Sequence, residues 1–323
     1  MGLPSFAPPQ YAVLRRIKIG GEGGWDYLTA SPDTHQLFVT RGSHVMVIDT
    51  QTEKVIGDLP DTPGVHGVAV DAKSNKGYAS NGRNNTVTVF DLKSLKVLSQ
   101  VPVGSRPDAI AFDSASNRVF TFNAGTSDST AIDTKTDTVA GTVKLDGKPE
   151  FARTNGKGDL FVNIEDKSEI QRFDTKNLKV TATWALAPGE EPSGLAFDEK
   201  DNLLFSTCSN NLFSVSDAKT QKLVDSVKIG SGPDAAVFDQ KFGLAFSSNG
   251  DDGTVTIVGK GRSNKWEEVQ TLTTQRGART MTIDQKSHLI YLITAEFGPG
   301  APGQRRPSML PGTAMILVVG PTN

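Results

Sequence analysis

The sequence predicts an all-β, seven-bladed β-propeller with four-stranded blades, closed by an N-terminal strand that completes the last blade. Three observations predict it. A motif written Arg106-Pro-Asp-Ala-Ile-Ala-Phe-Asp113 returns almost unchanged as Gly232-Pro-Asp-Ala-Ala-Val-Phe-Asp239. Weaker copies fill the chain at a blade's spacing, and the last copy lacks a fourth strand that the start of the chain can supply.

The weaker copies are Trp25-Asp-Tyr-Leu-Thr-Ala-Ser31, Val65-His-Gly-Val-Ala-Val-Asp71, Pro149-Glu-Phe-Ala-Arg-Thr-Asn155, Pro192-Ser-Gly-Leu-Ala-Phe-Asp198 and Ala278-Arg-Thr-Met-Thr-Ile-Asp284. Five residues before each terminal Asp, Asn or Ser stand Asp26, His66, Asp108, Glu150, Ser193, Asp234 and Arg279, at spacings of 40, 42, 42, 43, 41 and 45. A blade of four strands, each of about 5 to 6 residues, plus its turns needs this period.

Within one repeat, strand A is expected over 108–112, strand B over 119–122, strand C over 130–132 and strand D over 139–143. β-branched residues alternate through these runs, and Asn, Asp, Gly and Lys separate them. The C-to-D hairpin recurs as Val47-Ile-Asp-Thr-Gln-Thr-Glu-Lys-Val55 and Val89-Phe-Asp-Leu-Lys-Ser-Leu-Lys-Val97. Before the first strand A, Tyr11-Ala-Val-Leu-Arg-Arg-Ile-Lys-Ile19 matches the D strand Lys222-Leu-Val-Asp-Ser-Val-Lys-Ile229. Strand 11–19 is therefore expected beside 314–319, where it removes an open sheet edge. The domain boundaries that follow are a tail over 1–10, one propeller over 11–319 and a tail over 320–323.

Composition agrees with a turn-rich globular chain: 323 residues, 37% hydrophobic and 22% charged, with 32 Gly and 17 Pro. A formal charge of −2 and a pI near 6.1 disfavour duplex nucleic acid as a partner. No apolar run approaches the ~18 residues of a membrane helix. The single cysteine, Cys208, excludes an internal disulfide and is read as a buried thiol.

The repeat resembles the YVTN β-propeller repeat of YncE-like proteins, through Leu37-Phe-Val-Thr40, Gly77-Tyr-Ala-Ser-Asn81 and Val119-Phe-Thr-Phe-Asn123. That resemblance implies a seven-bladed propeller, often exported in bacteria, without one assigned reaction. The expected location is periplasmic or secreted, with a signal peptide removed from the chain; a cytoplasmic one stays open.

Strand A lines the channel and runs antiparallel to strand B, so A-strand starts and B-strand ends share one mouth. The first ring there is Asp26, His66, Asp108, Glu150, Ser193, Asp234 and Arg279. The B-strand ends are expected to add Arg41, Asn81, Asn123, Asn163, Cys208, Asn249 and Glu296, with Arg83 and Glu165 behind and Trp25 and Trp184 at the same level. A repeated Asp or Asn often caps a turn. Seven unlike ring residues suit a single asymmetric ligand better than one repeated capping task.

Four ring carboxylates against Arg279, with Glu190 and Glu191 nearby, suggest a mouth that attracts small polar or cationic ligands, or a protein or peptide partner. No cofactor is predicted; calcium or another divalent metal is the class the ring would admit, through Asp108 and Glu150. His66 is the candidate acid or base if the protein is an enzyme, as a metal- or His/carboxylate-dependent lyase or lactone hydrolase. The Gly-rich loop 20–24 lacks the following helix of a dinucleotide site. The long segment 297–312, carrying Arg305 and Arg306, emerges at the same mouth as a candidate lid. A monomer is expected.

Overall fold

The computed structural model describes residues 8–299 and 308–322. Among these, the strands form seven four-stranded antiparallel sheets, and the one helical element is a single 3-10 turn at Glu165–Lys167. In blade 3 strands A to D are Pro107–Asp113, Arg118–Asn123, Asp128–Asp133 and Thr138–Lys144, one or two residues longer at each end than expected. Burial falls off outward along the blade: strands B and C are almost wholly buried between neighbouring blades, whereas strand D, at the outer edge, is mostly exposed.

Blade 7 closes the ring. Its strands A and B, Met281–Asp284 and Leu289–Thr294, are followed by strand C at Met315–Thr322, and Gln10–Lys18 adds to C as strand D. Tyr11 pairs with Pro321 and Ile17 with Ile316, so strand C reaches three residues past the expected 319. Buried Tyr11 fastens this strand to blade 6: its backbone exchanges hydrogen bonds with the Gln270 side chain at 2.9 and 2.8 Å, and its hydroxyl donates to Asp239 at 3.2 Å. Its ring lies edge-on to Phe246, with centroids 4.9 Å apart.

The core sits between blades rather than within one sheet. One cluster joins Val237 and Phe246 of blade 6 to Leu292 and Leu317 of blade 7; another joins Phe38 of blade 1 to Phe90 of blade 2. Each blade thus buries its faces only against its two neighbours, which makes closure the condition of a finished core.

Candidate functional site

Hydroxyl groups hold the ring residues in place. The Ser80 hydroxyl donates to the Asp108 carbonyl at 2.6 Å, Thr280 to that of Asp26 at 2.7 Å, and Ser248 to that of Arg279. Each bond runs from one blade to the next, so the backbone beneath the ring is fixed between blades while its side chains are left to meet one another. The Asn163 amide does the same for the Ser193 carbonyl at 2.8 Å.

Five of the seven side chains form one chain of alternating charge. Arg279 pairs with Asp234 and stands 3.6 Å from Asp26; Asp26 meets His66 Nδ1 at 2.6 Å, and the same nitrogen lies 3.5 Å from Asp108. Glu150 instead meets Lys148 at 3.3 Å, outside hydrogen-bond alignment, and Lys148 also pairs with Glu165. Ser193 lies apart from the charges; its hydroxyl is 3.1 Å from that of Thr207.

Burial and crowding shift the protons here. Glu150 is pushed up to about 8 by burial first and then by the charge of Asp108, against the pull of Lys148. Asp108 is pushed up to about 6 by burial, with Asp26 and Asp234 adding to it and His66 opposing. Burial works against the His66 imidazolium, yet its bond to Asp26 and the charges of Asp108, Asp26 and Glu150 outweigh this and raise its pKa. The ring therefore gathers groups able to exchange protons near neutrality.

Below the ring, Tyr27 and Phe151 meet across the channel with centroids 4.9 Å apart, and the Arg153 guanidinium lies 4.7 Å from the Phe151 centroid. On their far side a cavity of about 570 Å³ opens toward the A-to-B turns, and none of the seven ring residues lines it. Sequence reasoning passed over Lys148, Tyr27, Phe151 and Arg153. A signal existed, since the position after each ring residue is Gly, Ala or Thr in the other five repeats.

Several expected mouth residues are buried, which corrects their placement. Asn81, Asn123 and Asn249 are fully buried and donate to Thr88, Thr130 and Thr256 at 2.8, 2.9 and 2.9 Å. Their amides tie strand B to strand C, the same task in three blades. Asn163 is equally buried, and Arg41, also buried, donates to the carbonyls of Gly20, Glu22 and Gly23. That clamp shapes the Gly-rich loop: at Gly23, with φ +87°, a Cβ would stand 2.8 Å from the Arg41 carbonyl oxygen. Cys208 is buried, as expected of an inert thiol.

Trp184 belongs to strand D of blade 4, Lys179–Ala185, and packs on Phe161 with centroids 6.4 Å apart. Trp25 is near the ring, accepting from Arg279 through its carbonyl at 3.1 Å, and its ring faces Phe297. Arg83, Glu190, Glu191 and Glu296 are exposed. The candidate lid, with Arg305 and Arg306, lies outside the described residues except at its ends, where Phe297 bridges Met309.

The closed ring of seven four-stranded blades around a channel makes this chain a seven-bladed β-propeller. It is similar in fold to a solved structure titled Kuenenia stuttgartiensis Hydrazine Synthase, at 15% identity and a TM-score of 0.73 over 83% of this chain and 92% of that one. It is also similar to one titled Crystal Structure of Mitotic Checkpoint Complex, at 14% identity and a TM-score of 0.77 over 90% and 91%. At such identity the likeness is one of fold alone. No family model and no curated protein matches the chain.

Proposed function

We propose that this propeller is a binding protein whose ring mouth takes a small ligand bearing a positive charge. The observation that carries this is the Asp108 and Glu150 pair, two carboxyls whose pKa values are raised first by burial, with the charge of Asp108 adding to it at Glu150 and those of Asp26 and Asp234 adding to it at Asp108. Carboxylates held this way are short of positive charge, and a ligand's ammonium or guanidinium group would supply it with little reorganisation. The blade motifs support membership among YVTN-repeat propellers and, with it, export from the cytoplasm as a monomer.

A second reading has its own observation: donor atoms of Asp26, His66 and Asp108 all lie within 4.8 Å of one another. Imidazole with two carboxylates suits a divalent transition metal, provided that His66 gives up the proton it shares with Asp26. The lyase or lactone-hydrolase alternative would use either such an ion or His66 with its carboxylate neighbours as acid and base.

Calorimetric titration with putrescine and, separately, with zinc and calcium tests both readings. Replacing Asp108 by Asn and Glu150 by Gln together should weaken putrescine binding at least about tenfold, with the fold retained. Tight zinc binding that is lost in His66→Ala, with no response to putrescine, would move the assignment to the metal. No response to any of the three sinks both.

A further inference from the structure

The cavity on the far side of Tyr27 and Phe151 has a charge that the protein leaves unanswered. Arg153 lies in strand A of blade 4, Pro149–Thr154, where it pairs with Phe161 of strand B. The matching register holds Ala69, Ala111 and Ala196 in blades 2, 3 and 5, paired with Tyr78, Phe120 and Phe205. Blades 1, 6 and 7 hold Thr29, Val237 and Thr282 there, so the fourth repeat alone places a charged side chain at this level of the channel.

That guanidinium sits deep beneath the protein surface but keeps accessible surface of its own, and it lines the cavity, so the cavity is where it is open. Its Nε donates to the Leu195 carbonyl at 3.0 Å and its plane lies by the Phe151 ring at 4.7 Å. Among the described residues no carboxylate stands within ion-pair distance of it. Burial pulls its pKa down to about 10, so it stays cationic at neutral pH.

The walls supply the second half of the site. Val70, Ile110, Phe112 and Ile283 line the cavity and are only half-buried, although they are large apolar side chains. Their open surface is apolar area left to be covered by an occupant. An isolated buried cation is costly without an anion, and a guanidinium with free N–H edges matches a carboxylate in a two-point fork.

We propose that this cavity binds a small amphiphilic carboxylate, its carboxylate on Arg153 and its apolar body against Val70, Ile110, Phe112 and Ile283. The site is independent of the ring, being separated from it by the Tyr27 and Phe151 side chains.

The test is calorimetric titration of the whole protein with octanoate and 4-phenylbutyrate, each against its uncharged alcohol, 1-octanol and 4-phenylbutanol. The acids should bind the wild type about tenfold to a hundredfold more tightly than the alcohols. Arg153→Gln should remove that preference, and the ring variant with Asp108→Asn and Glu150→Gln should leave it unchanged. Ala111→Leu, which narrows the cavity without touching the charge, should weaken both acids. It serves equally well if Arg153→Gln does not fold. Equal affinity for acid and alcohol, no binding of either acid, or acid binding untouched by both cavity variants overturns the proposal.

Discussion

Each innermost strand has two ends, and they treat their polar residues in opposite ways. Where strand A finishes, Asp71, Asp113, Asp198, Asp239 and Asp284 repeat one residue in one role: the carboxylate accepts a backbone N–H two or three residues on, from Ser74, Ser116, Lys200, Lys241 and Lys286 at 3.3, 2.9, 3.0, 2.9 and 2.8 Å. Where strand A begins, seven positions carry five residue types, and five of those side chains bond to one another across blades. Sameness at equivalent positions accompanies a local backbone task. Difference accompanies a shared space, because a side chain there answers to its neighbours around the ring rather than to its own turn.

That contrast also explains what the sequence made legible. The period, the strand order and the closing strand follow from turn chemistry and alternation, which are local and repeat seven times. The ring positions were legible because they differ against a regular background. Asn81, Asn123 and Asn249 misled because they end strand B beside the mouth and were expected to face it, whereas their amides turn inward to threonines that strand spacing alone does not reveal. Pairing within the ring was not legible either, since Arg279 could have faced solvent. Its position between Asp234 and Asp26 depends on rotamers set by seven blades at once.

The largest test asks whether the two ends are held by one closed ring. Removing residues 1–19 deletes strand D of blade 7 together with Tyr11 and its bonds to Gln270 and Asp239, leaving strand C as an open edge. Loss of a single cooperative transition, or aggregation, is expected by calorimetry and light scattering. A truncated protein that melts like the intact one contradicts the closure.

A smaller test sets a turn residue against the ring. Asp113 is fully buried and accepts from the Ser116 N–H and from the hydroxyls of Ser116, Thr154 and Thr175, so Asp113→Ala takes the acceptor from four donors and should cost about 2–4 kcal/mol in urea unfolding. The ring variant with Asp108→Asn and Glu150→Gln should cost less than about 1 kcal/mol. Equal losses would mean that the ring carboxylates are turn caps as well, and the contrast between the two ends would dissolve.

The finest test reads one proton at the ring. Burial and the charge of Asp108 raise the folded pKa of Glu150 from 4.5 to about 8, so between these values the folded protein holds a proton that the unfolded chain has released. Stability depends on pH through the difference in bound protons, and here the folded state binds more; this group therefore makes stability fall as pH rises through that window. A carboxylate bound in a favourable ion pair does the opposite. Glu150→Gln removes this dependence, because the amide stays neutral throughout. Asp108 and His66, whose pKa values are also raised, add slopes of the same sign in both proteins, so the informative quantity is the variant's stability minus that of the wild type. That difference should grow in the variant's favour from about pH 5 and level off above about pH 8 in urea unfolding. A difference that stays flat would show that Glu150 ionises like an ordinary surface carboxylate, and a charge-starved pair at the mouth would no longer explain why a cation should bind there.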